Sequence, residues 1–170
     1  MIYLSLGSNL SSKFGNRFEN LNFAISEIEK KSIAVIKKSS FYETISYPNK
    51  NNPKFINIII SVKSDSSPKD LMSILIDIEK KLERKREKKN EPRTCDIDII
   101  DYNNIILKTN YKKNELIIPH KNLETRNFVL FPLKEIAPNW QHPQTKVYIH
   151  TLINKLSNED RKSILKIKKY

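Results

Sequence analysis

The sequence predicts an α+β fold of the ferredoxin-like, split-βαβ kind, an antiparallel sheet with helices packed on it. Three observations carry this expectation. Short β-branched runs recur, FINIIISV at 55–62 being the clearest. Two longer stretches repeat apolar residues at helical spacing. Their order along the chain is β-α-β-β-α-β, which returns each strand beside an antiparallel neighbour and excludes a doubly wound parallel sheet.

The elements follow in turn. Ile2 to Leu6 reads as a first strand ending at Gly7, and a polar loop follows. Phe18, Leu21, Ile25 and Ile28 fall on one face of a helix over 17–30. Residues 33–41 alternate enough for a second strand, and a loop rich in Pro, Asn and Lys separates it from the strand at 55–62. Ser67-Pro68-Lys69-Asp70 is a helix start, with Ser as N-cap and Pro in the first turn. Leu71, Ile74, Leu75, Ile78 and Leu82 then form that helix's apolar face. The charged loop ERKREKKNEP closes at Pro92, a strand follows, and Asn103-Asn104 makes a turn into Ile105-Ile106-Leu107. Leu116 to Ile118 leads into Pro119-His120, a short helix is expected over 124–133, and the last 20 residues read as a basic amphipathic helix on the outside.

At 170 residues the chain is expected to form a single domain, 1–170, large enough for a real core. Lys and Arg total 31 against 19 Asp and Glu, a formal charge of +12 that favours anionic partners. The single Cys95 rules out an internal disulfide and suits a reducing compartment. No apolar run approaches the ~20 residues of a membrane span. The opening MIYLSLGSNL has no basic region and no long apolar core of a secretion signal, so a cytoplasmic location is expected.

EPRTCDIDIID, residues 91–101, sets two acids into an apolar run. On a strand, Asp96 and Asp98 share one face, about 7 Å apart, while Cys95, Ile97 and Ile99 take the other. One reading is a solvated surface face. The other is a cation site, since two such carboxylates repel in a dry pocket and Mg²⁺ takes one or two carboxylates plus substrate phosphates. Arg84, Arg86 and Arg93 nearby supply guanidinium groups that fit phosphates, although each alone reads as a solvated charge. A nucleotide would be held by side chains, because the chain has only two glycines and neither a Walker A loop nor G-x-G-x-x-G.

These stretches carry a resemblance. YLSLGSNL at 3–10, SSFYET at 39–44, FIN at 55–57, IEKKLERKR at 78–86, PRTCDIDI at 92–99, IPH at 118–120 and RNFVLFPLKEIAP at 126–138 together span almost the whole chain. In this combination the chain resembles the 6-hydroxymethyl-7,8-dihydropterin pyrophosphokinases of folate biosynthesis. The resemblance implies transfer of pyrophosphate from ATP to the pterin hydroxymethyl group, releasing AMP. It implies that Asp96 and Asp98 bind two Mg²⁺ ions and that Arg84 and Arg93 join them as catalytic residues. Glu79, Arg84, Arg86, Arg93, Ile99, His120 and Arg126 are the implied ATP-binding set. Thr44, Phe55, Asn57, Asp96 and Phe128 are implied for the pterin, Asn57 bonding the ring edge and Phe128 stacking on its face. Small-molecule substrates, no nucleic acid, no membrane and a monomer are the implied partners and state. The chain departs from the family pattern at Glu83 and Glu91, where glycine is usual, at Glu115, where some members place a basic residue, and in a loop after Arg86 about one residue short.

Two competing readings are weaker. An RNA-binding module on the same fold would stack bases on an aromatic strand motif absent here, and the exposed acids would repel RNA. A metal-dependent nuclease would recruit further acids or histidines that this chain does not assemble.

Overall fold

The structure, a computed structural model, describes residues 1–84, 91–112 and 114–168. Strand β1 (Ile2–Ser8) lies between β4 (Phe55–Lys63) and β5 (Asp96–Tyr102), and the sheet order is β5-β1-β4-β3-β8. Here β3 is Tyr42–Thr44 and β8 is Ile164–Lys166, while β2 (Ala34–Lys38) pairs with the other end of β4. Every pairing in this sheet is antiparallel, and its core follows the expected split-βαβ order.

Helix α1 (Arg17–Glu29) starts at Asn16, whose side chain accepts from the backbone of Phe18 and Glu19 while Glu19 reaches back. Helix α2 (Pro68–Lys81) starts at Ser67, whose hydroxyl accepts from Asp70 N at 3.2 Å, with Pro68 in its first turn. Both helices cover one sheet face, packing Leu21, Ile25, Leu71 and Leu75 against Leu4, Leu6, Ile58 and Ile60. Burying side chains of this kind is worth about 1.5–3 kcal/mol each, which fixes the register of β1.

Helices also lie on the second face. Helix α3 (Asn127–Ile136) and α4 (Ile149–Lys155) bury Leu130, Leu133, Leu152 and Ile153 against Ile59 and Ile100. Their cover stops short of the end of the sheet where Ser5, Gly7, Asn57, Asp96 and Asp98 lie. One face is therefore dry under α3 and α4 and polar beyond them.

Several expectations are corrected. The strand expected over 33–41 is the shorter β2, and Ser39, Ser40 and Phe41 separate it from β3, with Ser39 N bonded to Ile59 O at 2.9 Å. β1 continues through Gly7 to Ser8. After the turn at Asn103-Asn104, Ile105 and Ile106 lead into the hairpin β6 (Leu107–Tyr111) and β7 (Asn114–Ile118). The expected helix near 124–133 is a 3-10 turn at Leu123–Thr125 followed by α3. The terminal helix is broken as well. Leu156 is extended, Ser157 caps the short α5 (Asn158–Lys162), and β8 then pairs with β3. Among the described residues no helix is long and apolar enough to cross a membrane.

Candidate active site

The polar end of the sheet is built on Gly7. In register, Gly7 lies opposite Asn57 on β4 and opposite Asp96 on β5, so the three share one row on one face. Ser5 and Asp98 form the next row. A Cβ on Gly7 would lie 3.2 Å from Asn57 Oδ1 and 3.6 Å from the Phe55 ring, so glycine keeps the middle of the row open.

Asp96 and Asp98 do share a face, with Cys95, Ile97 and Ile99 buried behind them. Arg84 Nη1 donates to Asp96 Oδ1 at 2.5 Å, and Arg93 Nη2 lies 2.8 Å from Asp96 Oδ2. Asp98 Oδ2 accepts from Arg126 Nη1 at 3.2 Å and lies 3.8 Å from His120 Nε2. Burial first, and then the Asp96 charge, pushes the Asp98 carboxyl up, against the pull of His120, Arg126 and Arg84. The acids repel one another and are held together by cations.

Glu79 stands behind Arg84 and the strand that carries the acids. It is buried at the end of α2, where Oε1 accepts from Ile97 N at 2.7 Å and from Arg84. Burial opposes the Arg84 charge, but Asp96 and Glu79 outweigh it and raise that guanidinium above its ordinary value. Glu79 thus holds Arg84 from behind. The Arg93 backbone is fixed by Asn9, buried in the loop after β1, whose Oδ1 accepts from Arg93 N at 2.6 Å. The Arg93 guanidinium lies over the Phe55 ring at 4.8 Å, and its Nε is buried with no hydrogen-bond partner among the described residues. An acceptor on a bound ligand would satisfy it.

Burial pushes the His120 imidazole down, and Arg126 adds to this, against the pull of Asp98. Nδ1 accepts from Asn122 N at 3.2 Å, so in the neutral ring the proton sits on Nε2, on the Asp98 side. On the other flank Asn57 Nδ2 donates to Thr44 Oγ1 at 3.0 Å, and Phe128 stands at the start of α3 with Arg126 5.4 Å from its ring.

These groups line one cleft of about 760 Å³, in the size range of small-molecule sites. It brings together Thr44, Phe55, Asn57, Arg93, Asp96, Asp98, Arg126 and Phe128. Glu79, Arg84 and His120 stand behind or beside that lining. Two expectations fall elsewhere. Ile99 is 2% exposed within the core under α1 and α2, so any part in nucleotide binding falls to its backbone. Arg86 lies outside the described residues. Cleft residues that the sequence reading missed include Ser5, Gly7 and Asn127. For Gly7 a signal existed: one of two glycines in the chain, set inside an apolar strand.

Among the described residues no group of three or more His, Cys, Asp or Glu assembles as a metal cage. Two carboxylates on one face, one destabilised by the other, suit a hard divalent ion that completes its shell with substrate oxygens.

The chain is similar to known proteins in sequence and in fold. The family model of the 7,8-dihydro-6-hydroxymethylpterin-pyrophosphokinases matches residues 3–138. The 2-amino-4-hydroxy-6-hydroxymethyldihydropteridine pyrophosphokinase of Aquifex aeolicus is 34% identical over 142 residues, covering 84% of this chain and 83% of the relative. The folic acid synthesis protein FOL1 of Dictyostelium discoideum is 36% identical over 159 residues, and there the chain spans only 23% of the relative's length. A crystal structure of the Plasmodium falciparum HPPK-DHPS protein superposes with a TM-score of 0.72 at 16% identity, over 91% of this chain and 42% of that one, which shows a shared fold.

Proposed function

Because this chain belongs to the 7,8-dihydro-6-hydroxymethylpterin-pyrophosphokinase family, we propose that it transfers pyrophosphate from ATP to the hydroxymethyl group of 6-hydroxymethyl-7,8-dihydropterin in folate synthesis. The hydroxymethyl oxygen bonds to the β-phosphorus, its proton passes to solvent, and the bond from that phosphorus to the α–β bridging oxygen breaks, leaving that oxygen on AMP. AMP and the pterin diphosphate are the products.

The observation that supports this reading most directly is the row Asn57–Gly7–Asp96. Asn57 offers its Oδ1 as an acceptor to a heterocycle edge, while its Nδ2 donates to Thr44 Oγ1 and Tyr42 O. Phe55 and Phe128 line the same cleft and offer flat faces for the ring. One strand-spacing beyond Gly7 begins the acid and arginine cluster, so the ring's hydroxymethyl arm and the triphosphate meet over the glycine. Holding both reactants in one orientation is worth far more than any single contact.

Asp96 and Asp98 would hold Mg²⁺, two ions in this reading, which when bound neutralises charge on the entering and leaving oxygens. Arg84, Arg93 and Arg126 now sit on those acids and are within reach of phosphate oxygens once a metal replaces them there. His120 presents Nε2–H toward the same place. Buried Glu79 keeps Arg84 aimed at the site. In this reading the protein works as a cytoplasmic monomer on small molecules, without nucleic acid or membrane.

The experiment is phosphorus NMR on purified protein with ATP, Mg²⁺ and the pterin. AMP with a pterin diphosphate supports the proposal, and ADP contradicts it.

A further inference from the structure

Residues 157–166 lie beyond the 3–138 that the family model matches, yet Ser157, Glu159, Asp160 and Ser163 line the same cleft as Asn57 and Phe128. This wall has little core of its own, for α5 buries none of its residues. It is held by polar contacts instead. Asn127 Nδ2 donates to Asp160 O at 2.6 Å and to Ser163 Oγ at 3.0 Å, and Ser163 Oγ donates in turn to Asp160 O at 3.0 Å. The three groups close a triangle.

Resting on the function proposed above, we propose that Asn127 is a positioning residue that latches the C-terminal wall to α3 and so sets the width of the slot in which the pterin stacks on Phe128. Asn127 is the first residue of α3, between Arg126 and Phe128. Arg126, at the N-cap, makes no side-chain cap hydrogen bond, so the first turn of α3 lacks the usual anchor. The latch supplies one. The wall's other end is fixed to the opposite side of the slot, because β8 pairs Ile164 with Thr44, whose hydroxyl accepts from Asn57. A second tie, at the far end of α3, joins Glu135 to Lys166 at 3.2 Å. Through this segment the Phe128 side and the Thr44–Asn57 side are set at one separation. Arg126 is held independently by Asp98, so the nucleotide end is insulated from the latch.

The test measures pterin and ATP-analogue affinities separately, by fluorescence titration with 6-hydroxymethylpterin and by calorimetry with a non-hydrolysable ATP analogue and Mg²⁺. Asn127→Asp keeps size but removes the donor, and Asn127→Ala removes the side chain. Both are expected to weaken pterin binding about five- to tenfold, the loss of one or two net hydrogen bonds, with analogue affinity within about twofold. Ser163→Ala gives a smaller loss in the same direction, and Ser163→Thr, which keeps the hydroxyl, restores it. Amide exchange at 158–166 speeds up in Asn127→Asp. Faster exchange with unchanged pterin affinity overturns the proposal and leaves a merely structural contact, as do equal losses for both ligands. Wild-type protein that binds no pterin overturns the latch together with the proposed function, whereas wild-type binding with unaffected variants overturns the latch alone.

Discussion

Asn57 and Asp96 stand in one row across the sheet, on either side of Gly7 and roughly 10 Å apart by strand spacing. One is a neutral amide that donates to Thr44, the other an acid paired with Arg84 and Arg93. Three consecutive strand neighbours thus carry both halves of the candidate site, and the glycine between them marks where the halves meet.

The acids are expected to serve chemistry rather than folding. Asp96→Ala and Asp98→Ala should each cut Mg²⁺-dependent turnover by at least about a hundredfold, the scale of losing one charge-stabilising group. Far-UV circular dichroism should stay close to wild type, since Arg84 keeps Glu79 as a partner. Chelation of divalent ions should abolish wild-type turnover. Unaltered turnover in both variants would remove the metal argument.

Gly7 is expected to matter through space alone. A Cβ there meets Asn57 Oδ1 at 3.2 Å, tighter than ordinary contact. Gly7→Ala should therefore weaken pterin binding several-fold and Gly7→Val more, with ATP affinity little changed. Pterin affinity unchanged in Gly7→Val would show that the row does not hold the ring.

Glu83 departs from the family's usual glycine, and its backbone is where that departure costs. It lies just past the end of α2 at φ +63°, in the left-handed region. A side chain there costs roughly 1–2 kcal/mol, while the Lys13–Glu83 ion pair is exposed and returns little. Glu83→Gly should raise stability by about 1 kcal/mol in denaturant unfolding. A lower midpoint in the variant would contradict this.

Acid stability should depend on Glu135, which accepts from Tyr42 Oη at 2.8 Å and from Ser40 N and Oγ, with Lys166 beside it. Burial alone would push this carboxyl up, but these hydrogen bonds outweigh it and hold it below its ordinary value. A depressed folded value means that the stabilisation is full above the unfolded carboxylate range and is lost as pH falls through the folded value. Glu135→Gln should cost about 1.5–3 kcal/mol at neutral pH and flatten the acid limb of the stability profile. A parallel curve, merely displaced, would show that Glu135 is not the titrating group.

Much of the site was legible because strand periodicity is local. Two acids two positions apart in PRTCDIDI must share a face, and they do. The helix start at Ser67-Pro68 and the turn at Asn103-Asn104, both residues at positive φ, were legible for the same reason. The C-terminus was not. Ile149, Leu152, Ile153 and Leu156 keep helical spacing and three of them do form α4, but Ile164 and Leu165 join a strand because β3 offers an open edge. That edge is set by residues more than a hundred positions away. The bond between Glu79 and the strand amide of Ile97 was out of reach for a related reason, because spacing along a helix shows only neighbours on that helix.

In the proposed function, one row of the sheet holds two separable half-sites. The most direct measurement is the pair of dissociation constants, for the pterin and for the Mg²⁺–ATP analogue, in Asn57→Ala and Asp96→Asn side by side. Asn57→Ala is expected to lose about tenfold or more in pterin affinity with analogue binding nearly intact, and Asp96→Asn to lose chiefly the Mg²⁺-dependent part of analogue binding. Equal losses of both ligands in both variants would contradict it.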